Sequence, residues 1–227
     1  MDCKHCNTLS LGLYRCVSPE TLEKINSQKK FSSFKKGDYL FTAGESADGI
    51  YILQSGIVRT FKISEVGREQ TFSLKEAGSW VGLRDSLVGL EYNHSAVCLE
   101  DTLACFWKKD LINETLKSER EFQMELLNLL ALEWRDSENQ IFSLGTKQIH
   151  SKLAELLLSL HSSSGNSPEI ELKITREIIA SIIGTTTESV IRALSDFKAR
   201  DWIGIQKNKI IFKDYKQLSE IANNEVK

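Results

Sequence analysis

Glu188 and Arg192 stand four residues apart in Thr187-Glu188-Ser189-Val190-Ile191-Arg192, which puts a carboxylate and a guanidinium fork on one face of a helix. A carboxylate accepts from a cytosine amino group and a guanidinium donates twice to guanine O6 and N7, each good contact discriminating by about 1–3 kcal/mol. The same spacing also describes a solvated i, i+4 ion pair, worth about 0.2–0.5 kcal/mol. The surrounding elements must decide between them. A second chemistry lies in five cysteines, for which metal binding, redox sensing and simple burial are the open readings in a reducing compartment.

The elements around Glu188 and Arg192 form a pattern. Thr175 caps a helix that carries Ile178, Ile179, Ile182 and Ile183 inward, with small Ala180 allowing close helix approach. Gly184 takes the left-handed geometry that ends it, and Thr185-Thr186-Thr187-Glu188 reads as a capping box opening the next helix. On that second helix Val190, Leu194 and Phe197 face the first, leaving Thr187, Glu188, Ser189 and Arg192 on exposed N-terminal turns. Trp202–Gln206 then alternates as a strand, Lys207-Asn208 turns, and Lys209–Phe212 returns, a wing whose lysines suit phosphates. This is the outline of a winged helix-turn-helix, with double-stranded DNA as partner. Its candidate contacts are Thr175, Thr185, Thr187, Glu188, Ser189, Arg192, Lys207 and Lys209. Residues 146–227 hold twelve Lys/Arg against ten Asp/Glu, so charge alone does not nominate the domain.

Upstream, nine of thirteen glycines fall in the first hundred residues and punctuate short apolar segments such as Tyr51-Ile52-Leu53, Ile57–Phe61 and Gln70–Leu74. That spacing predicts an all-β roll or barrel. From Leu111 glycine is absent until Gly145 and the composition turns to leucine and glutamate, which predicts a long helix. Leu127, Leu130, Trp134, Ser137, Ile141 and Leu144 follow at steps of three and four as a seam for a second copy of the helix, and Phe122, Leu126 and Leu129 form a second stripe for the roll. A two-fold dimer would present two recognition helices to half-sites about 34 Å apart. With 227 residues, 41% hydrophobic content, a net charge of −2 and no membrane-length apolar run or signal-peptide pattern, the chain is expected in the cytoplasm with no membrane partner. Neither a Gly-x-Ser-x-Gly elbow, a P-loop nor a His-Glu-x-x-His string occurs, so an enzyme is not expected.

The order of parts resembles the CRP/FNR family of bacterial transcription regulators over nearly the whole chain. Phe34-Lys35-Lys36-Gly37-Asp38-Tyr39-Leu40-Phe41, then Ala43-Gly44-Glu45 and Tyr51-Ile52-Leu53-Gln54-Ser55-Gly56, resemble its roll signature, and Glu188-Ser189-Val190-Ile191-Arg192 its recognition-helix pattern. The resemblance implies an α+β chain: an N-terminal cysteine-containing segment (1–18), a cyclic-nucleotide-binding-like β-roll or jelly roll (19–115), a dimerisation helix (116–145) and a winged helix-turn-helix (146–227). It further implies a homodimer on a palindromic promoter element, in contact with RNA polymerase.

Within that family a cyclic-nucleotide binder needs a glutamate for the ribose and an arginine beside serine for the phosphate. Here Gly78-Ser79-Trp80-Val81-Gly82-Leu83 places Trp80 near the glutamate position, and Asn93-His94-Ser95-Ala96 places His94 at the arginine position. A mostly neutral imidazole replaces a guanidinium poorly, so no cyclic nucleotide is expected. Cys3 and Cys6 form a Cys-x2-Cys pair, Cys16 follows after nine residues, and Cys105 ends Leu99-Glu100-Asp101-Thr102-Leu103-Ala104-Cys105, similar to the internal ligand segment of FNR-type oxygen sensors. The resemblance thus implies a [4Fe-4S] cluster on Cys3, Cys6, Cys16 and Cys105, with Cys98 left as a small hydrophobe. The nine-residue gap is longer than in FNR proteins, and Ser137 stands in the seam where FNR itself carries an aspartate. A zinc knuckle, a metal-free thiol switch, or a regulator sensing nitric oxide through haem or another small ligand are the alternatives.

Overall fold

The computed structural model describes residues 12–223. The chain divides between Glu133 and Trp134 into two compact units. The described residues of the first begin with a 3-10 turn, Gly12–Cys16, and helix α1, Pro19–Gln28, whose N-cap Ser18 accepts from the Thr21 amide at 3.3 Å. Eight strands follow: β1 Lys30–Phe34, β2 Tyr39–Phe41, β3 Gly49–Ser55, β4 Val58–Ile63, β5 Glu69–Lys75, β6 Trp80–Val81, β7 Ser95–Cys98 and β8 Thr102–Lys108. They pair antiparallel into two four-stranded sheets, β1-β8-β3-β6 and β2-β7-β4-β5, with the short helix α2, Leu83–Val88, between β6 and β7.

The first sheet is covered on both faces. On one, Leu53, Val81 and Ala104 meet Leu40, Phe41, Val58, Ala96 and Cys98 of the second sheet's strands. On the other, Ile50, Ile52, Trp80, Cys105 and Trp107 meet Leu13, Ile25, Ile112, Phe122 and Leu126. Double coverage explains why Ile50-Tyr51-Ile52-Leu53 reads as an unbroken apolar run instead of an alternation. Gly56 turns β3 into β4 at a φ of +96°, and a Cβ there would stand 2.3 Å from Thr102 Oγ1, so no other residue serves.

The predicted long helix is two helices. Helix α3 spans Lys109–Ser118 and α4 spans Arg120–Thr146, so residues 116–118 close α3 and do not open the dimerisation helix. Glu119 between them has an extended backbone, and its Oε1 accepts from the Ser18 amide (3.2 Å), the Ser18 hydroxyl (2.5 Å) and the Thr21 hydroxyl. Those hydroxyls hold the Glu119 carboxyl below the usual carboxylate range. Three donors from the start of α1 fix the corner, a contact that no helical periodicity announces.

On α4 the stripe Phe122, Leu126, Leu129 packs into the core of the first unit. Leu127, Trp134 and Ile141 are 59%, 71% and 70% exposed, and Ser137 is exposed as well. Leu130, also predicted in the seam, packs partly against the same core as Leu126. Three residues after Leu127 it lies about 60° round the helix, toward the roll-facing stripe.

The second unit continues with α5 Ile149–Ser163, β9 Glu169–Glu171, α6 Arg176–Ile183, α7 Thr187–Ala199, β10 Ile203–Gln206, β11 Lys209–Phe212 and α8 Tyr215–Ala222. Leu153, Ala154 and Leu157 of α5, Ile179 and Ile183 of α6, and Val190, Leu194 and Phe197 of α7 are buried. The predicted wing hairpin β10–β11 is present in the expected register, and β9 joins it as a third strand in the order β10-β11-β9. Only three residues long with one inward side chain, Ile170, β9 lacks the length from which alternation is read. Among the described residues no helix is long and apolar enough to cross a membrane.

Candidate nucleic-acid interface and sensing region

The corner between α6 and α7 is built from caps. Thr175 Oγ1 accepts from the Ile178 amide (3.4 Å) to start α6, and Gly184 ends it at a φ of +67°. The predicted capping box is displaced by one residue: Thr186, not Thr185, caps α7, its Oγ1 accepting from the Ser189 amide at 3.3 Å. The Thr185 amide is already committed to the Ala180 carbonyl (3.0 Å) in closing the previous helix, so the new helix begins after it. Glu188 consequently lies in the first turn of α7, two residues after the cap and not three. Its own backbone N–H and the Thr186 hydroxyl hold its carboxyl below the ordinary range.

Glu188 and Arg192 are both exposed, and neither makes an ion pair with the other or elsewhere among the described residues. Thr175 is exposed at the start of α6, while Thr185, Thr187 and Ser189 are half-buried around the start of α7. A charged fork and an acceptor therefore project from the N-terminal turns of a helix whose other face is buried, as base reading in a major groove requires. At the wing, Lys207 takes a φ of +54° and is exposed. Lys209 is ion-paired to Glu169 at 2.6 Å, a partner that the two-strand reading of the wing does not contain.

In the roll, the residues that stand at the cyclic-nucleotide signature are turned to internal contacts. Trp80 is buried, packing edge-on to Trp107 (5.2 Å) and against Phe122 (5.8 Å). His94 lies edge-on to Phe41 and Phe72, with Nδ1 3.7 Å from Asp85 Oδ2; burial favours its neutral form against the pull of that carboxylate. Burial opposes the charge on Asp85, yet Arg84 Nε (2.9 Å) and the Asn93 amide (3.0 Å) keep its carboxyl below the usual range. Ser95 Oγ accepts from the Ala43 amide at 3.0 Å. An open cleft of about 980 Å³ lies beside this group, lined by Lys62, Arg84, Asp85 and Asn93 among others.

The cysteines separate by face. Because β8 alternates, Ala104 points into the core between the sheets and Cys105, 2% exposed, into the core under α1 and α4. Cys16, half-buried, packs against that same second core. Cys98 is buried between the sheets, away from both. Burial, and after it the carboxylates of Glu125 and Glu121, push the Cys16 thiol above its usual range. Cys3 and Cys6 lie outside the described residues. Among the described residues no three potential metal ligands come together.

Comparison with known proteins places these observations. Residues 31–119 match the cyclic nucleotide-binding domain family and residues 151–221 the Crp-like helix-turn-helix domain family. The chain is 27% identical to the fumarate and nitrate reduction regulatory protein of Vibrio cholerae over 98% of its length and 90% of that protein's. It is 25% identical to the CRP-like cAMP-activated global transcriptional regulator of Mycobacterium tuberculosis, over 93% and 96% respectively. The structure of FixK2 from Bradyrhizobium japonicum superposes with a TM-score of 0.80 at 23% identity, covering 87% of this chain and 99% of that one. A nucleotide-binding-type roll, a long helix and a Crp-like helix-turn-helix in that order establish that the chain belongs to the CRP/FNR family of DNA-binding transcription regulators.

Proposed function

We propose that this regulator responds to oxygen or redox state through a [4Fe-4S] cluster held by Cys3, Cys6, Cys16 and Cys105, and binds a palindromic promoter element as a homodimer in contact with RNA polymerase. The observation that carries the sensing half is the sharing of one core by Cys16 and Cys105, at the place where the N-terminal turn, the roll and the first turns of α4 meet. Four thiolates are a donor set suited to iron and sulfide, and the bound cluster would supply an oxygen-labile centre. A thiol whose ionisation is opposed by burial and two carboxylates makes a poor redox switch by itself; binding a metal is the route by which such a sulfur loses its proton. The raised Cys16 thiol favours ligation over the metal-free thiol switch.

The chain's own residues link this region to the dimer helix. Glu119, gripped by Ser18 and Thr21, fixes the start of α4 to the segment that carries Cys16. The order of that segment then biases the helix whose exposed stripe, Leu127, Trp134 and Ile141, pairs with a second copy. His94 in its Asp85 contact and Trp80 in the core leave a cyclic phosphate and ribose without their usual partners, so a cyclic nucleotide is not the effector in this reading. The cleft beside Lys62 and Arg84 favours a second reading, a small-ligand regulator of the same architecture.

Purification without oxygen tests the first reading. Iron and acid-labile sulfide near four of each per chain, with visible absorbance that bleaches in air, are expected for a [4Fe-4S] protein. A colourless, metal-free preparation that captures its operator undiminished would exclude it. In the DNA half, Arg192→Ala is expected to relax preference at one base pair by about 5- to 150-fold, the equivalent of 1–3 kcal/mol. Selection from a random duplex pool checks this; an unchanged consensus removes Arg192 from the reading set.

A further inference from the structure

Two residues of the wing are held by carboxylates of β9. In the β9–β11 register Lys209 lies opposite Glu171 and Ile211 opposite Glu169, so both carboxylates of β9 lie on the face of the sheet that carries Lys209. Lys209 Nζ donates to Glu169 Oε1 at 2.6 Å, and Asn208 Nδ2 donates to Glu171 Oε1 at 2.5 Å. The Leu172 amide adds a 2.7 Å bond to the Asn208 carbonyl, tying the turn to the chain just beyond β9. Nearby, Lys213 is taken by Asp201 at 2.5 Å. Of the three lysines on and next to the hairpin, Lys207 alone has no acidic partner among the described residues.

We infer that Glu169 and Glu171 are affinity-determining residues for DNA: they hold Lys209 and Asn208 in an internal contact that a phosphate must break, leaving Lys207 as the wing's standing phosphate ligand. Both partners of the Lys209–Glu169 pair are about half exposed, their side chains at 46% and 48%. Water screens such a pair, and a DNA backbone, with its condensed counterions and dense negative charge, competes for the ammonium on favourable terms. The wing therefore has two states: one with Lys209 held by Glu169, in which Lys207 is the only wing lysine without an acidic partner among the described residues, and one with both lysines turned to DNA. A sequence-independent contact that is suppressed in this way weakens binding to arbitrary DNA and leaves base reading by α7 to set the site. The inference rests on the DNA-binding role of the second unit.

The test uses the full-length chain and a labelled duplex of arbitrary sequence, titrated between about 50 and 200 mM salt. Glu169→Gln is expected to bind about 3- to 10-fold more tightly at the low end and to steepen the slope of log K against log salt by about 0.9, one additional phosphate contact. Simple removal of a negative charge near DNA would also tighten binding, so the deciding measurement is a cycle with Lys209→Gln. In the wild-type background Lys209→Gln is expected to cost less than about 2-fold, and in the Glu169→Gln background about the 3- to 10-fold that was gained. Equal costs of Lys209→Gln in the two backgrounds, or a salt slope that Glu169→Gln leaves unchanged, would overturn the inference. Glu171→Gln, exposed like Glu169, provides a second variant should the first melt early. Absence of binding by the wild type and every variant would overturn the DNA-binding assignment and this inference with it.

Discussion

Trp134→Glu combined with Ile141→Glu is expected to turn the proposed homodimer into a monomer and to weaken capture of the proposed palindromic site by at least about a hundredfold. These side chains, with Leu127, lie at seven-residue steps along α4 and are 59–71% exposed in the single chain. Full burial of one large apolar side chain contributes about 1.5–3 kcal/mol. In a symmetric pair each is buried twice, so the two positions together supply most of what a short helix seam can offer. A glutamate at either position faces its own copy across the axis, adding like-charge repulsion to the lost burial. Half-sites one helical turn apart need two recognition helices held together, so operator affinity falls with pairing while weak binding to arbitrary DNA persists. Sedimentation without oxygen and operator titration measure both effects. A variant that still sediments as a dimer would place the seam on another surface.

Cys105→Ser is expected to reduce iron per chain by more than about tenfold, and with it any difference in operator binding between air-free and aerated protein. One of the four proposed ligands is lost, and serine is a far poorer ligand for soft iron–sulfur chemistry. The position is also a core position, and a buried hydroxyl in place of a thiol costs about 1–3 kcal/mol when it finds no partner. Cys98→Ser separates these two effects. Cys98 is as deeply buried as Cys105 but lies on β7 of the other sheet, in the core between the sheets, so the same atomic change there is expected to cost similar stability and no iron. Iron retained in full by Cys105→Ser, or lost equally in both variants, would remove Cys105 from the ligand set. Thermal melting of both proteins accompanies the metal assay.

Much of the fold is legible because its signals are short in range. Thr175 and Gly184 bound α6 through cap chemistry written within ten residues, and Lys207-Asn208 separates two strands whose alternation lies on either side. Where two local signals compete, the reading slips. Thr185, Thr186 and Thr187 are chemically alike, and only the folded backbone shows which of them opens α7: the Thr185 amide closes the previous helix on Ala180, and Thr186 takes the Ser189 amide. The leucine-rich stretch from Leu111 reads as one helix since nothing in its composition breaks it; Glu119 is a good helix former, and the break comes from three donors about a hundred residues earlier in the chain. Leu130 illustrates the same limit on a helix surface. A step of three or four defines a stripe, and only the packed structure shows that a residue between two stripes also touches the core.

The amino-acid sequence by itself determined the succession of a glycine-punctuated roll, a leucine-rich helix and a capped two-helix corner with a wing, because backbone permission at glycine, cap hydrogen bonds and hydrophobic period act between residues near one another in the chain. It also placed Glu188 and Arg192 on the outward side of α7, since one buried stripe fixes the opposite face. Only the tertiary structure decided that Cys105 shares a core with Cys16 while Cys98 does not, that Ser18 grips Glu119 across 101 positions, and that Glu169 holds Lys209 across 40. Those pairings depend on which faces meet when distant segments pack, and the free energy that selects them belongs to the assembled core and sheet register, with no counterpart in any local pattern of residues.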